Sequence, residues 1–298
     1  MSSSTLERSA TLELSRQAAR RSALSQTLLL HAVVITLGLM FAFPLYWMLI
    51  TSFKSRGELD LIPPSLWRMT FRPANYYEAL LSSPSRYFPR FFLNTTVYTL
   101  LAIAGNLLSN TLVAYGFARI PFRGRNFLFV LVLSTLMVPS QVLLIPQYLL
   151  FKQFGWLDSL LPLVVPQFFG SAFYIFLLRQ FFLTIPRELD EAATIDGANH
   201  FDIFWRIIVP LSRPIVITVF ALSFVSHWND FFGPLIYLNS NEKLVLSVAL
   251  RLFIVPGQET PMHWLMAASV VSVLPVIIVF LFCQQAFVRG IAMTGLKG

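Results

Sequence analysis

His227, Trp228, Asn229 and Asp230 stand in a row, with Gly233 and Pro234 close behind, inside a stretch that is otherwise apolar. An ionisable group in such a stretch needs a partner or a wet cavity. Two chemistries suit these residue types. In one, Asn229 and Asp230 hydrogen-bond the hydroxyls of a sugar, Trp228 stacks on a pyranose face, and the Gly-Pro pair frees carbonyls toward the same path. In the other, Asn229 and Asp230 cap a broken helix end and pair with a neighbouring helix, fixing a kink. His31 and His263 read as interfacial or packed groups. No catalytic residue or metal ligand is assigned, because the sequence has no His-Glu-x-x-His, no Gly-x-Ser-x-Gly and no pair of carboxylates in apolar surroundings.

A second constellation lies at 184–211, TIPRELDEAATIDGANHFDIFWRIIVPL. Pro186 suits a first helical turn, Glu188, Asp190 and Glu191 put negative charge at the positive end of that helix, and Ala192 and Ala193 are strong helix formers with little bulk. Gly197 permits a left-handed turn, and a second helical run with Phe201, Ile203, Phe204 and Ile207 is stopped by Pro210. The expected product is a helix-turn-helix with small side chains on its tip, able to enter a cleft of another protein and transmit rigid-body motion. An amphipathic hairpin lying on lipid is the alternative, but its first helix is acidic where anionic lipid favours Lys or Arg.

The elements that must position these groups are membrane spans. Of the 298 residues 56% are hydrophobic and 12% charged, outside the balance of soluble domains. A helix needs about 20 apolar residues to cross a bilayer core. Six stretches qualify: 27–53, 91–118, 126–151, 159–178, 214–238 and 261–288, and only the fifth contains a formal charge, Asp230. The fold class is therefore all-α, a polytopic membrane bundle of six helices with a projecting hairpin. Pro139 and Pro146 should kink the third span. Ala102, Gly105, Ser109 and Ala118 on the second should let another helix approach closely.

Residues 1–26 are expected as a retained tail, disordered or on the membrane surface, because the apolar run after them is too long for a signal peptide; 27–298 form one transmembrane domain. The short Arg119/Arg123/Arg125 turn carries the most weight for orientation and places both termini in the cytoplasm, with Lys54, Arg56, Arg86 and Arg90 against it. The net charge of +8 then reflects topology and lipid headgroups rather than nucleic-acid binding. The outer segment 54–90, with Pro63-Pro64, Trp67, Pro73 and Tyr76-Tyr77, either touches an extracellular partner or covers the membrane surface. Cys283, the one cysteine, forms no intrachain disulfide and reads as a small apolar filler.

Glu191-Ala192-Ala193, three residues, Gly197, nine residues, then Ile207-Ile208-Val209-Pro210 resembles the EAA motif of ABC importer permeases, with Val209 where that family usually has Leu. Asn94-Thr95, Tyr115-Gly116-Phe117-Ala118-Arg119, Met137-Val138-Pro139, Ile195-Asp196-Gly197-Ala198, Trp228-Asn229-Asp230 and Leu296-Lys297-Gly298 are similar to the sugar-importer branch that includes the maltose-system permease. The resemblance implies a prokaryotic inner-membrane subunit whose hairpin rests in a groove of a separate ATPase. Glu191, Ala192, Ala193, Asp196, Gly197, Ile207 and Pro210 would couple ATP-driven closure to alternating access. It also implies a second permease, two ATP-binding subunits that hold ATP and Mg, a substrate-binding protein, and a cargo of sugars or oligosaccharides, with glycerol phosphate as the alternative. This chain itself holds no cofactor: Gly290 and Gly295 have phosphate-loop spacing, but Leu296 stands where the lysine must be. A secondary carrier also uses discontinuous helices around a midplane polar site, but it needs no such hairpin, and the sequence shows no paired half-repeats. A pure scaffold has no use for kinked helices around a polar cluster.

Overall fold

The computed structural model describes residues 3–61, 65–67, 70–82, 87–254 and 261–295, with side chains between Gln26 and Gln285, Ser140 excepted. Pro63-Pro64, Arg86 and Leu296-Lys297-Gly298 lie outside the described residues, as do the side chains of Arg16, Arg20, Arg21, Arg289 and Gly290 onward. The described residues are helical and contain no strand. In hydrocarbon a backbone must satisfy its own amides, and a helix does so within one segment.

Helix α1 (Ser3–Phe53) is continuous across the 26/27 boundary between the expected tail and the first span. Its apolar residues from Leu28 to Leu45 point outward, and it packs along α15 (Met262–Gly295) and α3 (Ala74–Leu81). The turn after it, with α2 (Arg56–Leu59), folds back over the end of α1. Asn75 Nδ2 donates to the Ser52 and Lys54 carbonyls at 2.9 and 2.8 Å, and Lys54 Nζ donates to Ser65 O at 2.6 Å.

The central element is α4 (Phe88–Arg119), which packs on α8 (Ala172–Phe182), α12 (Arg213–Trp228) and the turn between α7 (Leu161–Val164) and α8. Of the small-residue pattern, Ala102, Gly105 and Ala118 are buried on its inner face and Ser109 is half-buried. At Gly105 the need is steric: a Cβ would lie 2.7 Å from the Phe168 ring and 3.1 Å from the Gln167 backbone.

Among the described residues four helices are long and apolar enough to cross a membrane, Gln26–Phe53, Phe88–Arg119, Leu161–Phe182 and Met262–Gln285, and two bent pairs, Arg125–Met137 with Gln141–Gln153 and His200–Leu211 with Arg213–Trp228, bring the number to six if each is one span. The third expected span is more than kinked. Helices α5 (Arg125–Ser134) and α6 (Ser140–Gln153) meet at a break near 98°, because Val138, preceding Pro139, is driven to extended backbone (φ −86°, ψ 114°). Pro146 stays inside α6. The fifth expected span, 214–238, is split: α12 ends at Trp228 and α13 (Phe232–Tyr237) begins anew. The fourth changes course at Gly170, whose φ is +90°.

Candidate functional site

Polar residues of α4 at four-residue spacing face inward rather than toward lipid. Tyr98, Asn106 and Asn110 are buried, and Ala102 completes the stripe. Tyr98 Oη donates to Asp230 Oδ2 at 2.8 Å, and Asn106 Nδ2 donates to Ser223 Oγ at 3.1 Å and Gln167 Oε1 at 3.4 Å. Asn110 Oδ1 accepts from Ser171 N at 2.6 Å, satisfying the backbone where the chain turns at Gly170. These bonds hold the fourth span, at its change of course, and the split fifth span against an unbroken second one.

Two adjoining hollows of about 390 and 510 Å³ open between those spans, sharing Tyr98, Gln167 and Asp230 in their walls. Asn106, Ser171, Ser226 and His227 line the smaller; Gln141, Gln147 and Tyr237 the larger. No Lys or Arg lines either hollow, and Asp230 is the only carboxylate. His227 Nδ1 lies 2.7 Å from Ser223 O; a carbonyl only accepts, so Nδ1 carries the hydrogen. The polar groups of the walls are thus hydroxyls, amides, the His227 imidazole and one carboxylate, beside apolar Leu144, Pro162, Leu163, Pro166 and Phe232 in the larger hollow, a mixture suited to polyhydroxylated ligands.

The structure separates the three residues singled out around the fifth span's break. Asp230 faces the hollows, and its Oδ1 accepts from Gly233 N in the first turn of α13 at 3.3 Å. Asn229 is exposed and returns its amide to Val225 O at 2.8 Å. Trp228, expected as a stacking platform, is 5% exposed and unavailable for that: its ring stacks on Phe224, meets Phe92 edge-on, and its Nε1 donates to Ser272 O at 2.9 Å. Three apolar helices claim the indole, so it fastens α12 to α15.

At the far end of α4 the 184–211 segment folds as a hairpin. Helix α9 (Glu188–Ile195) has three acids in its first turn and ends in a Schellman motif: Ala198 N donates to Ala193 O at 2.9 Å and Gly197 N to Thr194 O at 3.0 Å. Gly197 takes φ +86°, the left-handed turn its position predicts. Asn199, which sequence reasoning passed over, caps α10 (His200–Ile203), its Oδ1 accepting from Phe201 N and Asp202 N at 2.9 and 3.0 Å. The signal was available, since Asn is a preferred N-cap and stands two residues past the turn glycine.

The second limb is not a plain α-helix. Phe204–Ile208 form a π-turn before α11 (Val209–Leu211), as Pro210 lacks the N–H that a regular turn would need. Glu191, Ala192, Asp196, Gly197 and Pro210 are exposed, Ala193 and Ile207 half-buried. Ile195 is 87% exposed at the tip, an apolar side chain with nothing over it in this chain. Behind the tip, Ile203, Phe204 and Ile208 join Tyr115, Leu178 and Phe182 in one buried cluster, so the hairpin is a rigid projection of the bundle.

Comparison with known proteins gives this architecture a family. The family described as binding-protein-dependent transport system inner membrane component matches residues 110–293. The arabinooligosaccharides transport system permease protein AraQ of Bacillus subtilis (strain 168) is 36% identical, over 88% of this chain and 92% of that protein. The sn-glycerol-3-phosphate transport system permease protein UgpE of Agrobacterium fabrum is 31% identical, over 89% of this chain and 95% of its own. Among solved structures, a crystal structure of a bacterial ABC transporter that imports the acidic polysaccharide alginate aligns with a TM-score of 0.76 and 26% identity, covering 86% of this chain and 95% of that one. Since the family match spans more than half of the chain and these relatives align with most of its length, the chain belongs to the inner membrane permease components of binding-protein-dependent ABC importers.

Proposed function

We propose that this permease carries neutral sugars or short oligosaccharides, and that the hollows around Tyr98 and Asp230 are its share of the substrate path. The observation that carries this reading is the polar part of the walls: hydroxyls, amides and an imidazole with one carboxylate and, among the described residues, no Lys or Arg. An anionic cargo such as glycerol phosphate would meet a like charge and no cation there, which is unfavourable at low dielectric. A neutral polyol replaces water hydrogen bonds one for one.

The hairpin is the coupling element of this reading. Glu191, Ala192, Ala193, Asp196 and Gly197 at its turn, with Ile207 and Pro210 at its base, dock it on a separate ATPase subunit that holds ATP and Mg. A second permease, a second ATP-binding subunit and a substrate-binding protein complete the machine. Both termini face the cytoplasm. Support comes from the charges: Arg72, Arg90 and Lys243 at the opposite end are paired with Glu78, Glu242 and Asp158, whereas Arg123, Arg125 and Arg187 at the hairpin end have no carboxylate partner among the described residues. Free cations retain the cytoplasmic preference.

The test is uptake by the full complex in proteoliposomes with its binding protein, comparing neutral oligosaccharides with glycerol 3-phosphate. Oligosaccharide uptake that falls at least about tenfold in Asp230→Asn, worth ~1.4 kcal/mol, is the expected result. Uptake of glycerol 3-phosphate alone would overturn the cargo assignment.

A further inference from the structure

Arg119 closes α4, and its side chain is only 3% exposed. Its guanidinium reaches two other elements. Nη2 donates to Phe182 O at 2.6 Å and Ile185 O at 2.7 Å, and Nη1 pairs with Asp190 Oδ2 at 3.2 Å. Phe182 ends α8, Ile185 lies in the turn entering the hairpin, and Asp190 belongs to the first turn of α9. The last carbonyls of a helix lack internal partners, so Arg119 caps α8 while holding α9. A planar fork does both at once; a lysine ammonium has no such geometry.

The pair is incomplete as a static brace. Arg119 Nε and Asp190 Oδ1 are both buried without a hydrogen-bond partner, although a bidentate pairing would use them. Buried polar atoms left open in this way are uncommon and call for a reason. A joint that changes grip when α9 moves supplies one.

The other end of α4 shows what such a joint would move. The helix has no proline beyond Pro89, and Tyr98 lies 21 residues before Arg119, about 32 Å along the axis at 1.5 Å per residue. Tyr98 holds Asp230 at 2.8 Å, while Asn94 and Thr95, one turn further out, hold the 242–246 segment: Asn94 Nδ2 donates to Glu242 O and Leu244 O, and Leu246 N donates to Thr95 Oγ1.

We propose that Arg119 is a positioning residue for transport: it fastens the first hairpin helix to α4, so that displacement of the hairpin swings α4 as one lever and alters the Tyr98–Asp230 contact in the substrate path. The proposal rests on the hairpin being the element that the ATPase moves.

The experiment uses the full complex with its binding protein in liposomes and measures substrate taken up per ATP hydrolysed. Fewer folded complexes lower uptake and hydrolysis together, so a merely structural role leaves this ratio alone. Arg119→Met keeps the apolar stem and removes the fork; its ratio should fall at least about fivefold, the lower range of inter-site coupling, with Arg119→Lys in between. An unchanged ratio in Arg119→Met overturns the proposal. Should that variant not assemble, Asp190→Asn, which leaves both carbonyl caps in place, carries the same expectation and the same refutation. Gly197→Pro serves as the control: if it too leaves the ratio unchanged, the hairpin's coupling role is what fails, whereas a drop there with none at Arg119 refutes the joint alone.

Discussion

Gly105 shows how a single missing methyl group permits the path to form. The turn carrying Gln167 crosses α4 so closely that a Cβ at 105 would press on the Phe168 ring and the Gln167 backbone. Valine there should destabilise the fold by about 1–3 kcal/mol through overpacking, partly offset by its better helix propensity, by a few tenths of a kcal/mol. The check is thermal unfolding in detergent, where Gly105→Val should melt below the parent; an equal melting temperature would mean that the turn yields freely. Gly197 differs, since its Cβ position is open and only its φ of +86° resists substitution. Gly197→Ala should therefore cost about 1–2 kcal/mol of local hairpin stability, the left-handed penalty for an L-residue, read as faster amide exchange across 192–199 with the bundle unaffected. Trp228 is the residue where type misled: an indole beside Asn and Asp suggests a sugar platform, yet besides Phe224 one turn back on its own helix it meets Phe92 and Ser272, which lie on two other helices whose approach no local pattern announces.

Between residue and molecule stand the joints that fix broken elements, and Asp158 is the strongest at the end away from the hairpin. Its Oδ2 accepts from Ser240 Oγ at 2.6 Å and Lys243 Nζ at 2.9 Å, and its Oδ1 from Ser240 N and Asn239 N at 2.9 and 3.0 Å. The Ser240 hydroxyl, then the Lys243 ammonium and the two amides, hold its carboxyl well below the usual carboxylate range. A carboxyl whose pKa is depressed by folding stabilises fully above its unfolded value, about 3.9, and loses that contribution as pH falls through the folded value. The 237–244 turn should therefore stay protected from amide exchange at mildly acid pH, whereas Asp158→Ala should expose it at neutral pH. Equal protection in both would remove the clasp from the account. The spans and the hairpin were legible from apolar run length, Pro210 and Gly197, because those signals are local. The near-right-angle break at Val138-Pro139 was foreseen only as a kink, and the split at Asn229 only as one of two readings of its polar cluster, since a proline or polar cluster marks where a helix is weakened while tertiary contacts set how far it turns. Tyr98, Asn106 and Gln167 escaped notice, although polar groups four apart in a membrane helix are a readable inward stripe.

For the molecule as a whole, sidedness decides how everything else works, and it is a question of where unpaired cations lie. At the hairpin end Arg123, Arg125 and Arg187 line or flank a hollow with no carboxylate among its walls. At the other end even Lys54 is buried, its ammonium on Ser65 O and 4.5 Å from the Trp47 ring centroid. Counting Lys and Arg from sequence alone weighs both ends; in the fold Arg72, Arg90 and Lys243 are paired with carboxylates and Lys152 is exposed without one among the described residues, against Arg123, Arg125 and Arg187 at the hairpin end, a balance that supports the proposed cytoplasmic hairpin. In a Cys283→Ser background, which removes the single buried thiol, Phe122→Cys beside the arginine turn and Asn241→Cys in the opposite loop give exposed probes. A membrane-impermeant maleimide added to intact cells should label Asn241→Cys at once and Phe122→Cys only after lysis. The reverse order would place the hairpin outside, where no ATP-hydrolysing partner could reach it, and would remove both its coupling role and the lever built on Arg119.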